Sequence, residues 1–153
     1  MEKLILLVIS ISIYGVTAAQ SNDNEQENIL INKFLSGCVF LNEHQKPVAE
    51  IPWSPHPTFK GVYLKHLITG TDTQNRFSYH IVKIEPGCTL DTHLHDGKTE
   101  THEVVCGSGK MNLDGKEIDY IVGAVCFIPD GTPHKVIAGN KGMYLLAKFS
   151  PAL

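Results

Sequence analysis

His93-Leu-His95 sets two imidazoles two residues apart. Alternate side chains of a strand leave on one face, so both rings project to the same side. Glu100 follows five residues after His95, and a turn through Asp96-Gly97-Lys98 would bring the next strand back opposite the pair. His134 comes much later, behind the turn Pro129-Asp-Gly131. Three imidazoles and one carboxylate on one inward face form a ligand set suited to a single divalent transition metal: Fe, Mn, Ni, Cu or Zn. Unpaired in a β-barrel core such groups are costly to bury, and a metal removes that cost. The ligand set leaves two positions of an octahedral ion open for water, O₂ or a chelating substrate.

The neighbouring residues divide by strand parity. His102 shares parity with Glu100 and faces the same interior, where it can serve as an acid–base group, support a ligand or simply pack. Glu103 has the opposite parity and faces out. His80 shares parity with Val82 and Ile84 and reads as a polar residue satisfied in the core, while His44, His56 and His66 read as surface or loop residues. Phe77 and Tyr79 read as packing, and Asp96 and Lys98 as a solvated loop.

The elements that must position these groups are short apolar runs cut by turn residues. Segments 60–68, 77–84 and 101–106 are rich in β-formers, the third ending at Gly107-Ser-Gly109. Residues 69–75 read as a loop. Segments 110–113 and 117–122 flank Asp114-Gly115, a hairpin signal because the tight turn needs positive φ. Segments 124–128, 134–138 and 143–149 complete the series. Regular strands without a long helical pattern predict an all-β sandwich or barrel. The stretch 47–57, with four prolines and Trp53, reads as an ordered arm over the barrel, and 27–35 carries a short helical pattern.

Gly87-x5-His93-x-His95-x4-Glu100-x6-Gly107 and Gly123-x5-Pro129-x-Gly131-x2-His134 resemble the two motifs of the cupin family at every spacing. The resemblance covers roughly 60–153. It implies a conical, antiparallel double-sheet jelly-roll barrel in a small single-domain protein, with the four metal ligands on His93, His95, Glu100 and His134. The second motif departs from the family pattern at Ala124 and Ala138, neither of which is a ligand position.

The 153 residues predict one domain, and 19% charged with 42% hydrophobic residues suits a globular core. A net charge of −3 and the lack of a basic run argue against nucleic acid and anionic membrane surfaces as partners. Residues 1–19 have a lysine-bearing start, an apolar stretch and small residues around Ala18-Ala19, the layout of a cleavable secretory signal peptide. The expected organisation is therefore signal peptide 1–19, mobile mature N-terminus 20–35, and barrel with N-terminal arm 36–153, exported to the periplasm or beyond with no membrane span left after cleavage. Export makes disulfides available to Cys38, Cys88, Cys106 and Cys126, and pairing and four thiols both stay open.

An intact site in a small cupin implies a metalloenzyme of dioxygenase type acting on a sugar or phenolic. In that reading Glu100 and His102 are the candidate proton-moving residues. A metal-dependent lyase or isomerase and a non-catalytic small-molecule binder are the alternatives. The apolar final strand allows a homodimer.

Overall fold

The computed structural model describes residues 28–153. The expected signal peptide and its cleavage site lie outside the described residues. Ten strands account for most of the fold: β1 (Cys38–Phe40), β2 (Gln45–Pro47), β3 (Ser54–Pro55), β4 (Val62–Ile68), β5 (Ser78–Ile84), β6 (Thr89–His93), β7 (Thr99–Leu113), β8 (Lys116–Ile121), β9 (Val125–Ile128) and β10 (His134–Ser150). All the pairings are antiparallel, and the main sheet runs β3-β4-β5-β10-β7-β8. The fold is the all-β jelly-roll barrel that the sequence predicts.

Two long strands close the barrel. The second half of β10 pairs with β5 while its first residues pair with β6, and β7 lies along its other side throughout. β7 in turn pairs with β9 near its start and β8 near its end. Each long strand is thus shared by two sheets, and each bends where it passes from one to the other. Segments 101–106 and 110–113, read separately from the sequence, are one strand. So are 134–138 and 143–149. The glycines that look like terminators are the bend: the β7–β10 register shifts between Ala138 and Met143. A Cβ on Gly107 would stand 2.1 Å from the carbonyl oxygen of Gly142, and both glycines have positive φ (75° and 74°). Only glycine allows this approach, so chain bending replaces chain termination. The hairpin at Asp114-Gly115 forms as expected, with φ of 49° and 82°.

Strand parity divides the apolar residues between two cores. Val62, Val82, Ile84, Met111, Leu145 and Phe149 fill the barrel. Leu67, Ile81, Val105 and Leu146, from the opposite faces of the same strands, pack outside against Ile31, Val48, Phe34 and Trp53. The arm 47–57 therefore covers the barrel as expected. Lys65 pins it: its buried ammonium donates to the carbonyls of Val48 (3.0 Å) and Ile51 and lies 5.2 Å from the centre of the Trp53 ring.

Two local elements differ from the sequence reading. Residues 28–35, placed within the mobile terminus in the domain reading, form helix α1, matching the short helical pattern read at 27–35, because Ile31, Phe34 and Leu35 find apolar partners in the outer core. Within the expected loop 69–75 a helical turn, α2 (Gly70–Thr73), forms where Asp72 accepts hydrogen bonds from the backbone N–H and the hydroxyl of Thr69, both at 2.8 Å. No helix of the described residues is long and apolar enough to cross a membrane.

Candidate metal centre and cavity

His93 ends β6, His95 lies two residues beyond it, Glu100 is the second residue of β7, and His134 opens β10. The β6–β10 ladder puts His134 directly opposite His93. A further latch joins the two turns that present the ligands: Asp130 accepts the N–H groups of Gly97 (2.6 Å) and Lys98 (3.2 Å), and Gly131 donates to the carbonyl of His95 (3.1 Å). The consequence is a cluster in which one side-chain atom from each of His93, His95, Glu100 and His134 lies within 4.8 Å of all the others. Nε2 of His134 stands 3.1 Å, and Nε2 of His95 3.4 Å, from Oε2 of Glu100.

Backbone carbonyls set two of the tautomers. Nδ1 of His93 donates to the carbonyl of Asp91 (2.7 Å) and Nδ1 of His134 to that of Thr132 (3.0 Å). A carbonyl only accepts, so each Nδ1 carries a proton, and in the neutral ring each Nε2 keeps its lone pair for the centre of the cluster. Burial, partly opposed by the Asp91 carbonyl, lowers the His93 pKa to about 4, so its ring is neutral at pH 7, the form that ligates.

The donor set fits a cation on one observation in particular. Oε2 of Glu100 and Nε2 of His134 are both buried, and neither makes a hydrogen bond despite their close approach. A buried acceptor without a donor costs roughly 1–3 kcal/mol. A divalent ion among the four atoms would satisfy both. The other oxygen of Glu100, Oε1, is held by His102, whose Nε2 donates to it at 2.7 Å while Nδ1 faces the Tyr120 hydroxyl at 3.2 Å. Burial alone pushes the Glu100 carboxyl up, but His102, through its charge interaction and hydrogen bond, more than reverses this and holds it well below the usual range. The carboxylate is ionised. His102 thus stands behind Glu100 on the side away from the centre, and Glu103 pairs outside with Lys148 (2.7 Å).

The cluster faces a cavity of about 290 Å³, walled mainly by Val62, Leu64, Val82, Leu90 and Phe149. A cavity of that size holds about ten water-sized units. Two further histidines line it: His56, a loop residue as expected, and His66, which lies on β4 and not at the surface. His56 stacks on Phe59 (4.6 Å between ring centres), which in turn lies 5.5 Å from His93. His66 lies on the inner face of β4 with Val62 and Leu64, and its ring also borders a shallow outer depression beside Glu50 and Ser54. Its parity with Val62 and Leu64 was the signal that could have placed it inside. His80, expected to be a satisfied core residue, is buried and bonded to both His66 and Ser78. His44 is exposed, as expected. Each of the four cysteines is a thiol. A larger depression of about 520 Å³ lies between α1, β1 and β5, but no His, Asp or Glu lines it.

Comparison with known proteins agrees with this geometry. Residues 80–147 match the cupin domain model. An oxalate-binding protein of Thermotoga maritima is 28% identical over 88 residues, 56% of this chain and 73% of the relative. The dimethylsulfoniopropionate lyase DddW of Ruegeria pomeroyi is 30% identical over 97 residues, 63% of each chain. Among solved structures, a predicted oxalate decarboxylase from Thermotoga maritima superposes with a TM-score of 0.62 at 26% identity, covering 69% of this chain and 96% of that one. KdgF from a Halomonas species gives 0.61 at 21% identity, over 76% and 96%. Residues 80–147 thus form a cupin domain.

Proposed function

We propose that this cupin is an exported metalloenzyme that binds one divalent transition metal through His93, His95, Glu100 and His134 and acts on a compact, oxygen-bearing small molecule held in the 290 Å³ cavity. The observation that carries the reading is the pair of buried atoms without hydrogen bonds, Glu100 Oε2 and His134 Nε2, in the cluster whose His93, His95 and Glu100 line that cavity. The chemistry such an ion supplies when bound is Lewis-acid activation of a coordinated oxygen and, for a redox-active ion, coupling to O₂.

The chain's own residues do the rest. The Asp91 and Thr132 carbonyls keep two imidazoles aimed at the centre. His102 keeps Glu100 ionised and oriented, which makes it a positioning residue first. The apolar walls exclude water from the ligand. A dioxygenase uses such a dry wall to protect a substrate bound beside O₂. A lyase or isomerase uses it to strengthen polarisation of a carbonyl, and the 30% identity to a lyase favours that second form.

Metal analysis of the purified protein beside His134→Ala tests the centre. About one ion per chain, lost in the variant, is expected; an unmetallated protein that takes up none on titration rejects the proposal. Turnover of a panel of small phenolics, sugars and acids then separates the two forms, since only the dioxygenase stops under argon. Export predicts that the secreted chain begins near Gln20, which N-terminal sequencing reads directly.

A further inference from the structure

His66, His80 and Ser78 form a hydrogen-bonded row whose direction follows from valence alone. It starts at the backbone N–H of Leu153, which donates to the Ser78 hydroxyl oxygen at 2.8 Å. Ser78 is fully buried, and the other partner of its oxygen is Nε2 of His80, also at 2.8 Å. A buried hydroxyl proton without an acceptor is costly, so the Ser78 O–H donates to His80 Nε2. Nδ1 of His80 then carries the ring proton and donates to Nδ1 of His66 across 3.0 Å. His66 Nδ1 is therefore an acceptor, and in the neutral ring the remaining proton belongs to Nε2. Burial lowers the pKa of both rings, that of His80 to about 4, so the row is uncharged at pH 7. No described residue accepts the His66 Nε2–H, and the ring lines the cavity that the four-residue cluster faces.

We propose that His66 is a ligand-binding residue whose Nε2–H, fixed as a donor by His80 and Ser78, receives an oxygen acceptor of the cavity's ligand remote from its metal-bound end. This rests on the proposed metal centre. It narrows the ligand to compact molecules with oxygen functions at both ends, a short dicarboxylate being the simplest. His66 does not take up a proton in this arrangement, because its Nδ1 is already occupied as acceptor and its Nε2 is already protonated. His80 and Ser78 are positioning residues, since they touch no ligand and act only by setting the tautomer of His66.

Two-bond ¹H–¹⁵N spectra of the histidine rings, recorded on the full chain without metal at pH 7, test the row directly. Protonated Nδ1 on His80 with protonated Nε2 on His66 is expected. The inverse pattern, His66 protonated at Nδ1, overturns the proposal. Calorimetric titration of the zinc-loaded protein with malonate and propionate tests the role. Malonate is expected to bind more tightly than propionate. His66→Leu should cost malonate roughly 10- to 100-fold, the effect of one hydrogen bond to a charged group. It should leave propionate unchanged, and His66→Gln, which keeps an N–H donor, should restore part of the difference. Equal affinities for the two acids in the wild type, or an unchanged malonate affinity in His66→Leu, overturn it. Failure to load zinc rejects the metal centre instead, and the ring spectra remain a separate decision on the row.

Discussion

Replacing His102 by Leu removes the donor that holds Glu100 from behind and should weaken metal binding without removing a ligand. The side chain is completely buried, and its Nε2 lies 2.7 Å from Oε1 of Glu100. A hydrogen bond to a charged group contributes about 1.5–3 kcal/mol. Loss of it also lets burial dominate and raises the Glu100 pKa, so a proton competes with the metal for the carboxylate. Supports of this type are worth about 10- to 100-fold in metal affinity, or about 1.4–2.8 kcal/mol, in line with the value of the bond itself. Competition for zinc between the protein and a chromophoric chelator measures the loss, and far-UV circular dichroism shows that the fold is retained. Tyr120→Phe, which removes only the hydroxyl 3.2 Å from Nδ1 of His102, should cost less, about fivefold for one neutral hydrogen bond. Zinc affinity in His102→Leu equal to that of the wild type would refute the supporting role. A loss far beyond 100-fold in a folded variant would refute it from the other side, by making His102 a ligand.

Three further outcomes concern stability. Gly107→Ala forces a Cβ to within 2.1 Å of the Gly142 carbonyl at a φ of 75°, and should cost at least about 3 kcal/mol, whereas Gly97→Ala, at a similar φ with open space around it, should cost only about 1 kcal/mol; urea denaturation compares them. Lys65→Met leaves the Val48 and Ile51 carbonyls without their buried donor, which should cost about 2 kcal/mol and shift the emission of Trp53, the chain's one tryptophan, to the red. Asp72 is held below its ordinary pKa of 3.8 by the N–H of Thr69 first, then by the Thr69 hydroxyl and Lys46. A depressed carboxylate contributes above its unfolded pKa and loses that contribution as pH falls through the folded one. The stability gap between wild type and Asp72→Asn should therefore be full above about pH 4 and narrow below it, in denaturation series at several pH values.

Most of the fold was legible because its signals are local. Alternation in 62–68 and 78–84 reports a strand between two apolar layers, and Asp114-Gly115 reports a hairpin. The errors sit where a local signal has two meanings. Gly107 and Gly109 read as the end of a strand because a strand usually stops where φ turns positive. Here a long strand bends onto a second sheet, and the reason is the carbonyl of Gly142, 35 residues away in the chain, which no reading of 101–113 contains. Helix α1 was legible as a short pattern at 27–35, but what holds it there was not, for a related reason. Its stability comes from Ile31 and Phe34 meeting the outer faces of strands that, read singly, look satisfied by one core.

The cavity holds two populations of histidine, and they differ in what makes them readable. His93, His95 and His134 are tied to fixed distances from glycines and prolines, because a metal demands that its ligands converge and the turns that aim them must have particular backbone angles. Spacing carries that demand into the sequence. His66 and His80 are tied to each other only through a β4–β5 ladder, which sets His66 opposite His80. Any two residues on facing strands have such a partner, so the pairing leaves no motif. What gives the pair meaning is Ser78, two residues from His80 on the same face, and a backbone N–H from residue 153. The metal end of the cavity is thus written in spacing and the opposite wall in register. A residue that selects the ligand, as distinct from one that holds the ion, is expected on the second kind of position: a ladder partner can change with the ligand while the turns that aim the metal site stay as they are.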